Sequence, residues 1–228
     1  MLAPDFDQAR NFMVDGQLRP SKVNDTRILT AMRTLPRERF VPPGKATLAY
    51  IDEHLEIAPG RYIMKPLVQA RLTQLAAPRA GETALIVGAG TGYGAAILAA
   101  CGAHVIALEQ DPALLAIARA ALADASIGGP SLAGLANITL VEGPLAEGWP
   151  AQAPYDLVII EGAVHAIPDK LGRQVAATGR LVTVIAAAAG GSYAAIAEPT
   201  TGGLAIRPAF EAVAPVLPQL VPAPSFAF

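Results

Sequence analysis

The sequence is poor in charged residues, in aromatic residues and in cysteine. Only 16% of its 228 residues are charged and 5% are aromatic, whereas 53% are hydrophobic. This composition excludes an intrinsically disordered chain, which would be rich in charge and poor in apolar side chains. The single cysteine, Cys101, excludes an internal disulfide and a zinc site built on several thiolates. We therefore expect the protein in a reducing compartment, the cytoplasm.

The sequence also lacks an excess of charge of one sign and a long unbroken hydrophobic run. The net charge is −2 and the sequence pI is about 5.9, so no basic field attracts nucleic acid or anionic lipid. The stretches Leu181–Ala197 and Ala212–Phe228 are uncharged, but glycines interrupt the first and four prolines the second. Neither provides the roughly 20 apolar residues of a membrane-spanning helix. We expect neither nucleic acid nor membrane as a partner.

From residue 81 onward, short runs rich in Val, Ile and Leu alternate with helical segments. The predicted strands are Thr83–Val87, His104–Glu109, Ile138–Glu142, Leu157–Glu161 and Leu181–Ile185. Apolar runs of this kind are typical of parallel strands that are buried on both faces. The alternation predicts an α/β fold, Rossmann-like and doubly wound, with a mostly parallel sheet. The Gly190-Gly191 turn predicts an antiparallel C-terminal addition to that sheet.

Differences in composition along the sequence predict that the chain has three parts. Residues 1–80 carry more charge and form a predicted N-terminal helical extension, with one helix opening at Asp25 and stopping before Pro36. Residues 81–215 form the predicted nucleoside-binding domain. Residues 216–228 form a proline-rich tail, which either packs along the sheet edge or binds a partner as an extended segment.

A glycine-rich loop follows the first strand of the predicted sheet. Gly88–Gly94 reads GAGTGYG and leads into a helix. Glycine allows positive φ angles and lets a ligand approach the backbone, while free N–H groups at the helix start attract polar groups. Glu109 ends the next strand, 19 residues after Gly90. A carboxylate at this place can accept hydrogen bonds from both hydroxyls of an adenosine ribose.

The loop alone leaves the nucleoside open. The spacing G-x-G-x-G from Gly88 suits a nucleoside without a pyrophosphate, such as S-adenosylmethionine. Counted from Gly90, however, Gly92 and Ala95 satisfy the dinucleotide pattern G-x-G-x-x-G/A. On this count, a methyltransferase and an NAD-dependent dehydrogenase are both compatible with the sequence.

Short segments along most of the chain share the pattern of one family. They are Phe12–Val14, Gln17–Arg19, Ile28-Leu29, Leu35–Pro42, Ala49–Asp52, Leu55–Ile57, Leu85–Tyr93, Ala153–Asp156 and Ile167-Pro168. The stretch Pro36–Pro42 and the tyrosine that closes the glycine loop are the most specific of them. Together these segments resemble the protein-L-isoaspartate O-methyltransferase family.

The resemblance implies a class I methyltransferase that uses S-adenosylmethionine and methylates damaged isoaspartyl or D-aspartyl residues of proteins. It also implies that residues 1–80 contribute to the substrate cleft. The predicted cofactor-binding residues are Gly88, Ala89, Gly90, Thr91, Gly92, Glu109, Gln110, Gly143 and Pro144. The predicted substrate-side residues are Ile63, Met64, Lys65, Pro66 and His165. No metal is expected, because the nucleophile is a carboxylate that is already ionised near pH 7.

Two positions depart from the pattern of that family. Met64 stands where a segment resembling T-I-S-x-P has its serine, and Pro144 stands where a G-D-G segment has its aspartate. A thioether is a weak acceptor and cannot donate a hydrogen bond, and proline offers no side-chain acceptor. The alternative to an active enzyme is therefore a paralogue with altered or lost methyl transfer. An NAD-dependent dehydrogenase is the more distant alternative.

Overall fold

The computed structural model describes residues 4–123, 135–187 and 190–221. Of the predicted tail, residues 222–228 lie outside this described part. The α-helices are α1 (Phe6–Phe12), α2 (Thr26–Thr34), α3 (Pro66–Ala76), α4 (Tyr93–Ala100), α5 (Pro112–Ala123) and α6 (Asp169–Gly172). The strands are β1 (Leu55–Ala58), β2 (Arg61–Ile63), β3 (Thr83–Val87), β4 (His104–Glu109), β5 (Ile138–Glu142), β6 (Tyr155–Val164), β7 (Val175–Ala186), β8 (Ser192–Thr200) and β9 (Gly203–Glu211).

Seven strands form the main sheet, in the order β5-β4-β3-β6-β7-β8-β9. The pairs from β5 to β7 are parallel, and β8 and β9 add antiparallel strands at one edge. The chain leaves β3 for β4 and β5 on one side and later fills the other side with β6 and β7. This order confirms the predicted doubly wound α/β fold and its antiparallel addition, and it creates a crevice at the carboxyl end of β3.

The sheet is covered on both faces because its central strands are apolar on both. Ala84, Ile86 and Val105 share one face with Leu72 of α3 and Leu98 of α4. The alternate residues of the same strands face the other way. They are Leu85, Val87, Ile106 and Leu108, and they pack with Leu145, Leu171, Leu217 and Leu220. Burial of each such side chain contributes roughly 1.5–3 kcal/mol to the free energy of folding.

The N-terminal eighty residues contain helices and a short hairpin. The α2 helix begins after Asp25, whose side chain accepts a hydrogen bond from the Arg27 N–H at 2.9 Å, and ends two residues before Pro36. The antiparallel strands β1 and β2 join through a turn at Pro59-Gly60, where Gly60 has a φ of 68°. Strands of four and three residues are too short for periodicity to detect, so the sequence pattern missed this hairpin.

Within the described part of the chain, none of the helices is both long enough and apolar enough to cross a membrane.

Candidate active site

The glycine loop lies at the carboxyl end of β3 and leads directly into α4. Gly88, Gly90 and Gly92 have φ angles of 77°, 56° and 89°, in the left-handed region that favours glycine. The loop therefore lies at the switch point of the sheet, where doubly wound folds bind nucleosides.

Glu109 is fully buried at the end of β4, and five donors point at its carboxylate. Its Oε1 accepts hydrogen bonds from the backbone N–H groups of Gln110 and Asp111 at 2.7 and 3.0 Å, and its Oε2 accepts one from the N–H of Gly90 at 2.7 Å. The other two donors belong to the guanidinium of Arg61, at 2.7 Å from Oε1 and 2.6 Å from Oε2. The carboxylate predicted to hold a ribose is thus bound to a side chain of the same protein.

Arg61 comes from β2 and lies under the hairpin, with only 3% of its surface exposed. Its Nη2 also approaches the Gly88 carbonyl oxygen at 3.4 Å, whereas its Nε has no hydrogen-bond partner among the described residues. Bidentate pairs between arginine and carboxylate are stronger than hydrogen bonds to neutral hydroxyls. Breaking a buried pair by removing one partner typically costs about 3–5 kcal/mol. A ribose can reach Glu109 only if Arg61 moves away.

Two apolar side chains complete the cover over the glycine loop. A Cβ placed on Gly90 would lie 3.1 Å from Cδ1 of Ile57, and one on Gly88 would lie 3.1 Å from Cδ1 of Leu217. Among the described residues, a cavity of about 10 Å³ lies at this place. It is lined by Ile57, Tyr62, Ile63, Met64, Gly88, Ala89, Gly90, Thr91, Tyr93 and Glu161. That volume holds about one water molecule.

Met64 is buried beside this cavity, and a buried arginine fixes its backbone. Nη2 of Arg37 donates to the Met64 carbonyl oxygen at 2.6 Å, and Nε of Arg37 donates to that of Ala49 at 2.7 Å. The guanidinium also lies 4.8 Å from the ring centre of Tyr93. Burial lowers the pKa of Arg37 and raises that of Tyr93 to about 12. These contacts connect residues 37–64 to the start of α4.

Glu161 is a second carboxylate that faces the same cavity. It follows Ile160 in β6 and accepts a hydrogen bond from Nε2 of Gln69 at 2.9 Å. Burial raises the pKa of Glu161 to about 7. Its Oε1 takes the space of a side chain at Gly94, because a Cβ there would lie 1.6 Å away. The carboxyl group of Glu161 therefore keeps its proton to a higher pH than an exposed glutamate does.

The other predicted residues near the loop lie at two places. Gln110, Gly143 and Pro144 follow β4 and β5 next to Glu109, since the N–H of Gly143 donates to the Glu109 carbonyl oxygen at 3.1 Å. Lys65 and Pro66 open α3 after the buried Ile63, and Nζ of Lys65 lies 3.3 Å from Asp52. The structure thus gathers these residues around one end of the sheet.

His165 is the predicted site residue that lies apart from the glycine loop. It is exposed at the end of β6, and its Nδ1 lies 3.2 Å from the Ala186 carbonyl oxygen. Ala186 belongs to β7, whereas the glycine loop follows β3 on the opposite side of β6.

Sequence reasoning included Arg61 only as the first residue of the segment Arg61–Pro66, which was predicted to shape the methyl-transfer site, and it left Leu217 out. Arg61 directly precedes the stretch that resembles T-I-S-x-P, but nothing in the sequence indicates that it pairs with Glu109. Leu217 lies in the proline-rich tail, far along the chain from the loop that it covers. Glu161 is a further residue of the cavity, and its place at the carboxyl end of the predicted strand Leu157–Glu161 is the one sequence signal that pointed to the site. A residue that closes a site from a distant segment is visible only in the tertiary structure.

The donor set of the site fits the nucleoside and amino-acid groups of S-adenosylmethionine, but the cavity that the described residues leave beside Gly90 is smaller than such a ligand. Loop N–H groups, a helix start and a carboxylate after the next strand are the groups that such a ligand needs. Ligand pockets of this class measure roughly 300–1,000 Å³, far above the volume that remains beside Gly90. In the described part of the chain, the side chains of Ile57, Arg61 and Leu217 lie against the glycine loop.

A doubly wound sheet with a glycine-rich loop after β3 and an acid at the end of β4 defines a Rossmann-like protein of the nucleoside-binding class. Residues 9–204 match the model of a family described as protein-L-isoaspartate(D-aspartate) O-methyltransferase. The chain belongs to this family, whose members are S-adenosylmethionine-dependent O-methyltransferases.

Relatives agree with this assignment. Two proteins named protein-L-isoaspartate O-methyltransferase, from Methylorubrum populi and Methylorubrum extorquens, are 42% and 40% identical to this chain. The first match covers 77% of this chain and 79% of the relative, and the second covers 78% and 75%. A third relative, from Gloeobacter violaceus, is 34% identical over 87% of this chain and 93% of its own length.

Solved structures share the fold. One protein-L-isoaspartate O-methyltransferase superimposes with a TM-score of 0.75 at 22% identity, covering 93% of this chain and 67% of the other. The Plasmodium falciparum protein, titled a putative enzyme of the same name in complex with S-adenosyl-L-homocysteine, has a TM-score of 0.75 at 17% identity. That match covers 95% of this chain and all of the other.

Proposed function

We propose that this protein is an S-adenosylmethionine-dependent methyltransferase that esterifies the carboxylate of isoaspartyl (or D-aspartyl) residues in damaged proteins. The family match over residues 9–204 carries this proposal. The glycine loop at the switch point, with Glu109 after the neighbouring strand, supports it. The same match favours a methyl donor over a dinucleotide, although the loop is formally compatible with both.

The protein's share of the chemistry is binding and alignment. When bound, S-adenosylmethionine supplies a methyl group already activated on a sulfonium. Gly88–Gly92 offer backbone N–H groups, Glu109 offers acceptors for the ribose, and Gln110 with Gly143 and Pro144 borders the base. The incoming carboxylate is ionised near neutral pH and needs no general base, so alignment and exclusion of water remain as the main tasks.

The substrate side of the site is formed by Ile63, Met64, Lys65 and Pro66. The ammonium group of Lys65 provides a positive charge for a carboxylate, although it pairs with Asp52 at 3.3 Å in this conformation. Met64 offers only a thioether, which cannot donate a hydrogen bond to that carboxylate. His165 lies on the opposite side of β6 from the glycine loop. In this proposal it contacts a part of the substrate protein that is distant from the methylated carboxylate.

The proposed partners are proteins or peptides that contain isoaspartyl residues, and the proposed location is the cytoplasm. The single cysteine supports this location, because the chain cannot form an internal disulfide. Burial raises the pKa of the Cys101 thiol to about 11, which keeps it inert.

The test of the proposed function is methyl-ester formation on a pair of synthetic peptides. One peptide carries an isoaspartyl residue and the other the same residue as ordinary aspartate. We expect S-adenosylmethionine to esterify the isoaspartyl peptide alone, as followed by mass spectrometry. Absence of ester on both peptides, with a folded protein that binds S-adenosylhomocysteine, would contradict isoaspartyl methylation and favour a paralogue with another methyl acceptor.

A serine at position 64 should accelerate this reaction. The variant Met64→Ser introduces a hydroxyl that can donate to the substrate carboxylate, and one positioned donor contributes about 10-fold or more to such a rate. Met64→Leu is the matched control, because it keeps an apolar side chain of similar volume. A gain in kcat with serine but not with leucine is the expected outcome, and equal rates for both variants would exclude a role for the hydroxyl.

A further inference from the structure

We propose that Glu161 is a substrate-binding residue of the methyl transfer. Its carboxyl group, in the protonated form, donates a hydrogen bond to the carboxylate that becomes the ester. This inference rests on the proposed function and assigns to Glu161 the donor role that the Met64 thioether cannot perform. The place of the carboxyl group in the fold, its surroundings and the fate of its proton support the assignment.

Glu161 lies where the proposed cofactor and substrate surfaces meet. It belongs to β6, which pairs with β3 as far as Ile160, so it comes directly after the last paired residue and lies beside the glycine loop. Its side chain lines the same cavity as Met64 and Gly88–Gly90. The carboxyl ends of the central strands border the ligand in a doubly wound fold. A group at this place can therefore contact a carboxylate that lies beside Met64.

The backbone and the neighbouring helices aim the Glu161 carboxyl group into this site. The pairing of β6 with β7 shifts in register between Ile159 and Ala163, and such bulges re-aim side chains. Gly94 in α4 leaves the room that the carboxyl group occupies, because a Cβ there would lie 1.6 Å from Oε1. Nε2 of Gln69 in α3 donates to the same oxygen at 2.9 Å. Among the described residues, Oε2 has no hydrogen-bond partner, so it remains open to a ligand in the cavity.

The charged and titratable groups around Glu161 act on its proton in both directions. Burial raises the pKa of Glu161 to about 7, and the carboxylate of Glu109 also raises it. The hydrogen bond from α3 and the positive charges of Arg37 and Arg61 lower this pKa. Tyr93 stays neutral near pH 7, because burial raises its pKa to about 12. An approaching substrate carboxylate adds a negative charge and raises the pKa of Glu161 further, so the protonated form is the one that meets the substrate.

The proton stays on Glu161 during the reaction. The substrate carboxylate has an ordinary pKa below about 4 and is therefore the weaker base of the two carboxylates. One substrate oxygen accepts the hydrogen bond, and the other forms the bond to the methyl carbon while the carbon–sulfur bond breaks and its electron pair stays on sulfur. The first oxygen becomes the carbonyl oxygen of the ester and still accepts from Glu161. The contact thus orients the nucleophile without blocking its reacting electron pair.

The experiment compares the pH profile of kcat/KM for the isoaspartyl peptide in four proteins, from S-adenosylhomocysteine release between about pH 5.5 and about pH 9. Beside the wild type, Glu161→Gln keeps an N–H donor that does not titrate, and its amide oxygen can still accept from Gln69. Glu161→Leu removes the donor. Glu147→Gln is the matched control, because that carboxylate is half exposed in an ion pair with Lys170. Thermal melts verify that every variant is folded.

The wild type and the control should lose kcat/KM as the pH rises through the pKa of Glu161, by up to about 10-fold per pH unit. Glu161→Gln should keep a flat profile, close to the wild-type level at low pH. Glu161→Leu should be about 10-fold or more below that level, because a charge-assisted hydrogen bond is lost. A fall that persists unchanged in Glu161→Gln overturns the inference, and so does wild-type activity that rises through this window, since the ionised form is then the active one.

Proton uptake provides a second readout that does not depend on turnover. The isoaspartyl peptide is titrated into each protein with S-adenosylhomocysteine bound, at about pH 7.5, in buffers of different ionisation enthalpy. Binding should take up protons in the wild type and in Glu147→Gln, because the substrate carboxylate raises the pKa of Glu161. The two Glu161 variants should take up fewer protons or none. Equal uptake in all four proteins contradicts the assigned contact.

The results distinguish failure of this inference from failure of the proposed function. Ester formation with one common pH profile in all four proteins overturns the role of Glu161 and leaves isoaspartyl methylation intact. Absence of ester in every protein, although each is folded and binds S-adenosylhomocysteine, overturns both, because no isoaspartyl carboxylate then reaches the site.

Discussion

At the scale of single residues, Glu109 matches the sequence pattern of a ribose-binding carboxylate, yet its side chain is paired with another residue of the same protein. Glu109 lies where the spacing from Gly90 predicts a ribose-binding carboxylate, at the end of β4 and next to the loop. Its partner in the structure is Arg61, which arrives from a hairpin that periodicity did not reveal. A buried carboxylate is costly unless hydrogen-bond donors surround it, and Arg61 provides two of the donors to Glu109.

Glu161 gives a prediction for pH dependence. Burial raises its pKa to about 7 from 4.5, so between these values the folded protein holds a proton that the unfolded chain has released. Stability therefore falls as the pH rises through this window, by up to about 3 kcal/mol at about 1.4 kcal/mol per pKa unit. Glu161→Gln should remove this loss, making the variant more stable than the wild type at pH 8 and nearly equal at pH 4.5.

Urea unfolding at these two pH values measures the difference. Glu147→Gln is the control, since Glu147 is about half exposed in its pair with Lys170 and solvent screens that pair. A gain for Glu161→Gln that is the same at both pH values would contradict the assigned cause.

At the scale of elements, a group of hydrogen bonds outside the site joins α3 to the sheet through Arg180. Arg180 of β7 donates through Nε to the Ala76 carbonyl oxygen and through Nη2 to that of Ala77 at 2.8 Å. Its Nη1 and Nη2 contact Glu82 at 3.0 and 2.9 Å, just before β3. A cation at a helix C-terminus satisfies carbonyl groups that lack partners within the helix. This arginine therefore fixes the end of the helix that begins at the substrate side.

The variant Arg180→Gln should lower the free energy of unfolding by about 1–3 kcal/mol, because charge-assisted hydrogen bonds are lost from a half-buried position. Arg207→Gln is the matched control, since its pair with Glu198 is exposed and such pairs contribute less than about 1 kcal/mol. Chemical denaturation of both variants checks this. Equal losses in the two would show that the contacts to α3 contribute nothing beyond a surface ion pair.

At the scale of the whole molecule, stability is unevenly distributed over the sheet. β3 and β4 are buried almost throughout and have partners on both sides. In the part of the chain that the structure describes, β9 pairs with β8 alone and is largely exposed. The exposed edge and the buried centre of the sheet therefore open at different free energies.

Native-state hydrogen exchange should reveal this gradient. Amides of Thr83–Val87 and of β4 are expected to exchange only through global unfolding, and those of Gly203–Glu211 about 100-fold faster or more. Mass spectrometry of peptides from these strands checks the order. Uniform protection across the sheet would mean that the molecule opens as one unit.

The sequence by itself determined the parallel sheet, the glycine loop, Glu109 after the next strand and the family pattern. These features depend on local periodicity and spacing, which neighbouring residues fix. Only the tertiary structure decided what fills the site, because Arg61 and Leu217 reach the loop through contacts between segments far apart in the chain. Burial and hydrogen bonding select such contacts from the folded geometry, and neither leaves a local pattern. The same local motif is therefore closed here by the protein's own side chains.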